Sequence, residues 1–323
     1  MSSKITYVSG YFELPNVESN FESYLERASR FSLKIPHPMI IFCEPHTYPR
    51  IKEERSKYGF LTHYVVKKIE DMEFYSYLPQ IIENRKSRPR ADPSNTPEYQ
   101  VIKCSTYTMV RDAINKNIFG SQYYVWVDFG LVESGVAPSN MSALRAVSND
   151  IIYNKRENVR MCFINYTPLN ETINLENYYH LYGRCGIAGI LFSGSSEKLL
   201  RFMEMCINCF KDTVSKGYGH ADEQIYLQVL FSFILAGNKI NDLFDFYFGD
   251  YQYILSNYSE FNSPDAKNIT LNAFLPNVIK DKAKYPECKE LVSQAVMYLM
   301  DGYKKGKLEL SKEDIFRLFE YVI

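Results

Sequence analysis

Apolar runs and amphipathic segments alternate along the first part of the chain. The runs predict buried strands at residues 5–8, 39–43 and 62–69, each bounded by turn-forming or charged residues. Between the first two runs, apolar residues recur at helical spacing, at Phe21, Tyr24, Leu25, Ala28 and Phe31. Such β-α-β alternation predicts a mainly parallel sheet of the nucleotide-binding type.

The pattern continues with fewer strands in the middle of the chain. Residues 97–117 predict a helix that leads into a strand around Trp126, and residues 159–166 predict a further strand. A segment with spaced glycines, at 183–194, precedes a predicted helix at 196–216. The fold class expected from this order is a single α/β/α sandwich.

The pattern becomes helical near the C-terminus. Ser311 and Asp314 form a capping box for a last helix, and apolar residues share one predicted face of it, at Ile315, Leu318, Phe319 and Val322. We therefore expect an α/β domain over residues 1–260 and a helical C-terminal extension over residues 261–323 packed on it.

Composition and charge exclude several function classes. The chain of 323 residues is 46% hydrophobic and 23% charged, which is enough to bury a large core. Its net charge of −1 provides no general attraction for nucleic acid or an anionic membrane. No apolar run approaches the roughly 20 residues of a transmembrane helix. Its seven cysteines lack framework spacing, so we expect reduced thiols and a cytoplasmic location. The sequence indicates no oligomeric state.

The run at residues 123–127 stops abruptly at Asp128, with Gly130 two residues later. Ligands collect at the carboxyl ends of strands in open α/β sheets, and an acid there can hold a cation or a sugar hydroxyl. The alternative is a solvated strand-end aspartate followed by a turn glycine.

Further acids stand at similar places. Asp222 and Glu223 open a predicted helix, and Asp250 follows an aromatic segment, so a carboxylate-lined cleft is expected. Asp128 is the first candidate ligand of a divalent cation that bridges phosphates. Acids at a helix start are also favoured by the helix dipole, which offers a structural explanation for Asp222 and Glu223.

Several short motifs occur together in this chain. They are Pro97-Glu-Tyr, Tyr-Tyr-Val-Trp-Val-Asp-Phe-Gly at 123–130, Gly-Ile-Ala-Gly-Ile-Leu-Phe-Ser-Gly at 186–194, Ala-Asp-Glu-Gln at 221–224 and Phe-Gly-Asp-Tyr at 248–251. In order and content they resemble the bacterial HtrL/YibB family, over residues 4–260. The resemblance implies a GT-A-like fold that binds a nucleotide-sugar, expected to be a UDP-sugar, and transfers the sugar to a glycan or another hydroxyl acceptor.

The resemblance also implies roles for individual residues. Asp128 would take the place of the Asp-x-Asp motif that contacts metal and ribose, with Trp126 or Gly130 standing where the second acid belongs. Asp250 would supply a further ligand to the cation, expected to be Mn²⁺. Asp222 and Glu223 would face the acceptor hydroxyl or the donor sugar, and a carboxylate beside the acceptor can remove its hydroxyl proton.

The rest of the donor site follows by the same analogy. Ser9 and Gly10 would lie near the nucleotide and Glu44 near the base or ribose. If no metal binds, positive charge for the leaving diphosphate would come from Arg184 or from the basic cluster at 85–90. The loop at 85–97 that contains this cluster is a candidate lid. The further donor-site candidates are Arg55, Trp126, Gly130 and Gly189.

Two other function classes stay open at this point. A non-catalytic sugar- or partner-binding protein is compatible with a single acid at the Asp-x-Asp position. A nucleotidyltransferase fits the sheet, but Ser9-Gly10-Tyr11-Phe12-Glu13 lacks the glycine-rich, basic loop typical of that class.

Overall fold

The computed structural model describes most of the chain. The described residues are 4–14, 20–87, 96–131, 140–165, 174–180, 186–218, 222–249, 251, 254–259 and 267–322. Within them, a central sheet of seven strands is flanked by helices. The strands are β1 (Ile5–Tyr11), β2 (Met39–Cys43), β3 (Thr62–Val66), β4 (Tyr123–Val127), β5 (Val159–Phe163), β6 (Ile187–Ser195) and β7 (Phe244–Phe248).

The sheet order is β3-β2-β1-β4-β6-β5-β7, and only β6 runs antiparallel to its neighbours. This confirms the expected mixed α/β fold with a mainly parallel sheet. The chain moves outward from β1 to β3 and then crosses to β4 on the other side of β1. The point between β1 and β4 is therefore a topological switch point, where the connections diverge and leave a crevice at the carboxyl ends of the strands.

Helices cover both faces of the sheet. They are α1 (Phe21–Arg30), α2 (Tyr48–Ser56), α3 (Leu78–Ser87), α4 (Pro97–Cys104), α5 (Thr106–Lys116), α6 (Asn140–Tyr153), α7 (Leu175–His180), α8 (Ser196–Ser215), α9 (Asp222–Leu235), α10 (Ile254–Ser259), α11 (Leu275–Lys282), α12 (Lys289–Lys304) and α13 (Lys312–Val322). Helices α5, α8 and α9 pack on one face, whereas α6 packs with α10 on the other.

The helix predicted at 97–117 is two helices with a short break at Ser105. The first begins at the N-cap Thr96, whose side chain accepts a hydrogen bond from the backbone N–H of Tyr99. The second ends at Asn117 in the left-handed conformation, with φ of 39°. The Asn117 side chain also accepts hydrogen bonds from the backbone N–H of Ser121 and the hydroxyl of Tyr124, which fixes the entry into β4.

The C-terminal helices pack against the β7 edge of the sheet. Gln294 of α12 accepts a hydrogen bond from the backbone N–H of Phe246 and donates one to the carbonyl of Phe244. The capping box is present, because Ser311 and Asp314 each bond the backbone N–H of the other. On the predicted apolar face of α13, Leu318 is buried whereas Phe319 is 60% exposed. Among the described residues, no helix is long and apolar enough to cross a membrane.

Candidate functional site

A cavity of about 330 Å³ opens at the switch point, beside the carboxyl ends of β1 and β4. Its lining combines residues at the end of β1 with residues of α4, α5 and β4. The lining residues are Gly10, Tyr11, Phe12, Glu13, Leu14, Asn20, Tyr24, Tyr99, Ile102, Lys103, Thr106, Met109, Trp126, Asp128 and Phe129. The predicted candidates Gly10, Trp126 and Asp128 are thus brought together. Size and position suit a small-molecule ligand.

Asp128 extends the β4 strand to this cavity and meets a lysine there. Its backbone N–H donates to the carbonyl of Ile190 in β6, which continues the sheet ladder for one more residue. Its Oδ2 lies 2.9 Å from Nζ of Lys103, and its Oδ1 accepts a hydrogen bond of 3.1 Å from the backbone N–H of Gly130. The side chains of Lys103 and Asp128 are 29% and 23% exposed, so the ion pair faces the cavity.

Gly130 lets an aromatic wall approach the same loop. A Cβ at this position would lie 2.5 Å from a ring carbon of Tyr24, so the ring packs directly on the glycine main chain. Tyr24 also contacts Tyr11, which packs against Phe129. Three aromatic rings therefore form one side of the cavity, and such surfaces suit stacking against a base or a sugar.

Asp222 and Glu223 lie at the same edge of the sheet because α9 begins there. The Oε1 atom of Glu223 accepts hydrogen bonds from the backbone N–H of Gly189 at 3.0 Å and from the hydroxyl of Tyr251 at 2.7 Å. A Cβ at Gly189 would lie 2.5 Å from Oδ2 of Asp222, so only glycine admits the acid this close to β6. The pairing of β5 with β6 is irregular along this stretch, and such irregularities often redirect groups beside a site.

The charges in this cluster shift one another's protonation. Burial, reinforced by the Glu223 carboxylate, raises the pKa of Asp222 from its usual range to about 7, although Lys103 opposes the shift. Burial acts to lower the pKa of Lys103, but Asp128, Tyr99 and Asp222 together outweigh burial and hold that pKa well above its usual range. Burial and the same acids raise the pKa of Tyr99 to about 12. At neutral pH the cluster therefore holds a charged lysine and one acid able to exchange a proton.

A second polar group lies on the other side of the β1 end. Glu13, Glu44 and His46 each offer one ligand atom, and these atoms lie within 4.8 Å of one another. Glu44 is buried and accepts a hydrogen bond of 2.8 Å from the backbone N–H of Glu13, while the Glu13 carboxylate bonds the His46 ring. Two carboxylates with an imidazole form a donor set that suits a divalent transition metal. Among the described residues, this group is the candidate cation site.

The cation site expected at Asp128 fits the structure less well. Both oxygens of Asp128 are engaged, one by an ammonium and one by a backbone N–H. A cation on the same oxygen would stand beside the positive charge of Lys103, and like charges at this separation repel strongly. The residues that meet at Asp128 therefore do not fit a divalent cation. Asp250, the other predicted ligand, lies outside the described residues.

Comparison with protein families identifies the chain. A model of the HtrL_YibB family, described as bacterial proteins of unknown function, matches residues 5–259. The chain belongs to this family. The resemblance carried by the short motifs is thereby confirmed, while the description of the HtrL_YibB proteins assigns them no reaction.

Other comparisons add little to the family assignment. Curated proteins give no significant match. Among solved structures, 4-diphosphocytidyl-2C-methyl-D-erythritol synthase from Anaerococcus prevotii is similar at 10% identity, over 77% of this chain and 88% of that one, with a TM-score of 0.40. A similarity this low carries no argument about the reaction.

The structure contradicts the assignment of Arg55 to the donor site. Its guanidinium is buried and donates to the carbonyls of Leu33, Ile35 and His37 and to the hydroxyl of Thr62. His37 precedes β2, so these partners lie at the amino end of that strand, opposite the cavity. Burial lowers the pKa of Arg55 to about 10, which still leaves it charged at neutral pH. Arg55 therefore holds the scaffold together and is not part of the candidate site.

This placement predicts a stability effect without a binding effect. Replacing Arg55 with methionine should lower the free energy of unfolding by about 3 kcal/mol, because buried carbonyls lose a charged donor. The control is Arg50→Met on the same helix, because Arg50 is half-exposed and forms ion pairs with Glu22 and Glu53. This substitution should lower the free energy of unfolding by less than about 1 kcal/mol. Urea unfolding of both variants tests this. Equal losses in the two variants would contradict the structural role.

Of the remaining predicted residues, the structure describes Ser9 but not Arg184 or most of the basic loop. Ser9 is buried and, among the described residues, its Oγ has no hydrogen-bond partner. Arg184 and residues 88–95 of the basic loop lie outside the described residues, so their donor and lid roles stay predictions.

Sequence reasoning missed Lys103, Glu13 and His46. Glu13 and His46 carried a usable signal, because each lies within three residues of a strand's carboxyl end.

Proposed function

We propose that the protein is a glycosyltransferase that transfers a sugar from a nucleotide-sugar, specifically a UDP-sugar, to a hydroxyl acceptor such as a glycan. The observation that carries this proposal is the cavity at the switch point, with Asp128 and Lys103 on its floor and two buried acids at the same edge. Nucleotides bind at this place in open α/β sheets. Fold position alone does not fix a reaction, so the arrangement of acids supports the choice of group transfer.

The donor is proposed to lie along the cavity. Its base and ribose would pack near the Tyr11 and Tyr24 rings and the Glu44 side of the β1 end, and its diphosphate would lie toward Asp128. In this pose the sugar approaches α9, where the backbone N–H of Gly189 in β6 holds Glu223 and where Asp222 lies close to the same glycine.

The transfer step uses one acid as a base. The acceptor hydroxyl oxygen forms a bond to the anomeric carbon, and the bond from that carbon to the diphosphate oxygen breaks with its electron pair. The hydroxyl proton passes to Asp222, whose raised pKa suits proton transfer near neutral pH. Glu223, fixed by Gly189 and Tyr251, would orient the acceptor.

A divalent cation, for which we propose Mn²⁺, would be held by Glu13, Glu44 and His46. Bound there, it would add positive charge beside the donor nucleotide. The side chains themselves supply the negative charge and the imidazole nitrogen that such an ion needs.

The proposed function is tested by a screen of donor hydrolysis and transfer across nucleotide-sugars, with and without Mn²⁺. Release of UDP or another nucleoside diphosphate, stimulated by a hydroxyl acceptor, is the expected result. Tight binding without turnover of any donor would instead support a non-catalytic sugar-binding protein. Pyrophosphate release from a nucleoside triphosphate and a sugar phosphate would identify a nucleotidyltransferase.

Asp128→Asn is expected to remove most of the stabilisation by UDP. A ligand at 100 times its dissociation constant raises the free energy of unfolding by about 2.7 kcal/mol in the parent. The variant loses the charge that holds Lys103 at the cavity, so its melting temperature should respond weakly to UDP. Asp301→Asn, in an exposed ion pair on α12, is the matched control and should respond like the parent. Equal UDP-induced shifts in parent and Asp128→Asn would argue against the assignment.

A further inference from the structure

Lys103 occupies the position at Asp128 where the Asp-x-Asp analogy places a metal ion. It projects from the last turn of α4, and its ammonium lies 2.9 Å from Asp128 Oδ2. The Tyr99 ring, one helical turn earlier, lies 5.9 Å from the same ammonium. Lys103 and Tyr99 both line the cavity, so this positive charge is presented to any ligand inside it.

The local charge balance depends on this lysine. Asp128, Asp222 and Glu223 are three carboxyl groups at one edge of the sheet, and both aspartates act electrostatically on Lys103. An ammonium at ion-pair distance neutralises Asp128 without requiring octahedral oxygen ligands. Lysine also carries three donor hydrogens, so it can bond Asp128 and keep donors for a second anion.

We propose that Lys103 supplies at Asp128 the positive charge that a divalent cation supplies at an Asp-x-Asp site, and that its ammonium binds the donor diphosphate. The second half rests on the proposed function. During transfer, the bond between the anomeric carbon and the diphosphate oxygen breaks, and its electron pair stays on that oxygen. Lys103 stabilises the charge that develops there, because a fixed positive group at a partly buried site lowers the barrier.

Mn²⁺ binding tests the first half without any nucleotide. Electron paramagnetic resonance of free Mn²⁺ measures the ion bound by the parent, by Asp128→Asn and by His46→Asn. Asp128→Asn is expected to bind Mn²⁺ like the parent, and His46→Asn is expected to bind it at least tenfold more weakly. Loss of Mn²⁺ binding in Asp128→Asn would overturn the proposal, because the ion would then compete with Lys103 for that carboxylate.

UDP binding in EDTA tests the second half. By titration calorimetry, Lys103→Met is expected to bind UDP at least tenfold more weakly than the parent. Lys103→Arg keeps the charge and should retain most of the affinity. Lys116→Met, at an exposed position on α5, is the matched control and should bind like the parent. Circular dichroism melting of each variant separates lost binding from lost folding.

The outcomes distinguish this inference from the proposed function. Parental UDP affinity of Lys103→Met in EDTA would overturn the diphosphate role while leaving a nucleotide-binding protein. If the parent binds neither UDP nor any nucleotide-sugar, the proposed function fails together with the diphosphate role. The Mn²⁺ measurement then still decides whether Lys103 excludes a cation from Asp128.

Discussion

Replacing Asp222 with asparagine is expected to lower the rate of sugar transfer by about 10²- to 10⁴-fold, which is the usual contribution of a general base. The donor nucleotide should bind with near-parental affinity, since Asp222 is outside the lining of the nucleotide cavity. The measurement is single-turnover transfer with the donor found in the screen, alongside UDP titration. In the parent, the transfer rate should rise with pH through about 7, as Asp222 loses its proton.

Glu223→Gln provides the comparison within the same helix turn. Its carboxylate is held by two donors, so the variant should disturb acceptor orientation and raise the KM for acceptor more than it lowers kcat. If both variants transfer sugar at near-parental rates, the catalytic assignment of this acid pair is wrong. A larger rate loss in Glu223→Gln would move the base from Asp222 to Glu223.

The same substitution of Asp222 is expected to stabilise the protein above pH 7. The folded-state pKa of Asp222 is raised to about 7 from the usual 3.8, so the folded state keeps a proton that the unfolded state loses between these values. The contribution of the raised Asp222 pKa to the free energy of unfolding is therefore fully present below about pH 4. It is lost as pH rises toward 7, and above that pH it no longer changes. Asparagine cannot ionise, so the free energy of unfolding of Asp222→Asn should exceed that of the parent by about 4 kcal/mol at pH 8.

Urea unfolding of parent and Asp222→Asn at pH 4.5 and pH 8 measures this difference. The helix-dipole explanation predicts the opposite sign at pH 8, with a loss of about 0.3 to 1 kcal/mol in the variant. Asp212→Asn, exposed on α8, is the control and should show no such pH dependence.

The charged or titratable groups that interact with Asp222 are Tyr99, Lys103, Cys104, Tyr107, Asp128, Cys206, Glu223, Tyr226 and Tyr251.

The sequence pattern predicts strands β1 to β5 and misses β6 and β7. Strands β2 and β4 are buried on both faces, and such strands read as continuous apolar runs. Strand β6 was not predicted because Gly189 and Gly194 interrupt its apolar run, and glycine usually weakens a strand. Gly189 serves a contact from another part of the chain, because a Cβ there would lie 2.5 Å from Oδ2 of Asp222. A Cβ at Gly194 would make only an ordinary contact of 3.4 Å with the main chain of Asn158.

The places of three candidate residues follow from where a strand ends or a helix begins. Asp128 reaches the cavity because β4 ends there, and Asp222 and Glu223 reach the same edge because α9 begins there. Lys103 was missed because its partner is 25 residues away and nothing in the helical pattern distinguishes it from a solvated lysine. Arg55 was misassigned because its partners are the backbone carbonyls of Leu33 and Ile35. Every residue has such a carbonyl, so the sequence gives no sign of where these partners lie.

The reversed strand also constrains how the protein is made. Strand β6 lies between β4 and β5, yet both of these precede it in the chain. A ribosome must therefore synthesise the chain through Ser195 before the two halves of the sheet can join, and until then the facing edges of β4 and β5 lack their hydrogen-bonding partner. Unpaired edges invite association with other chains. Strand β7, the other neighbour of β5, is made later still, so β5 has no partner on either edge until β6 is complete.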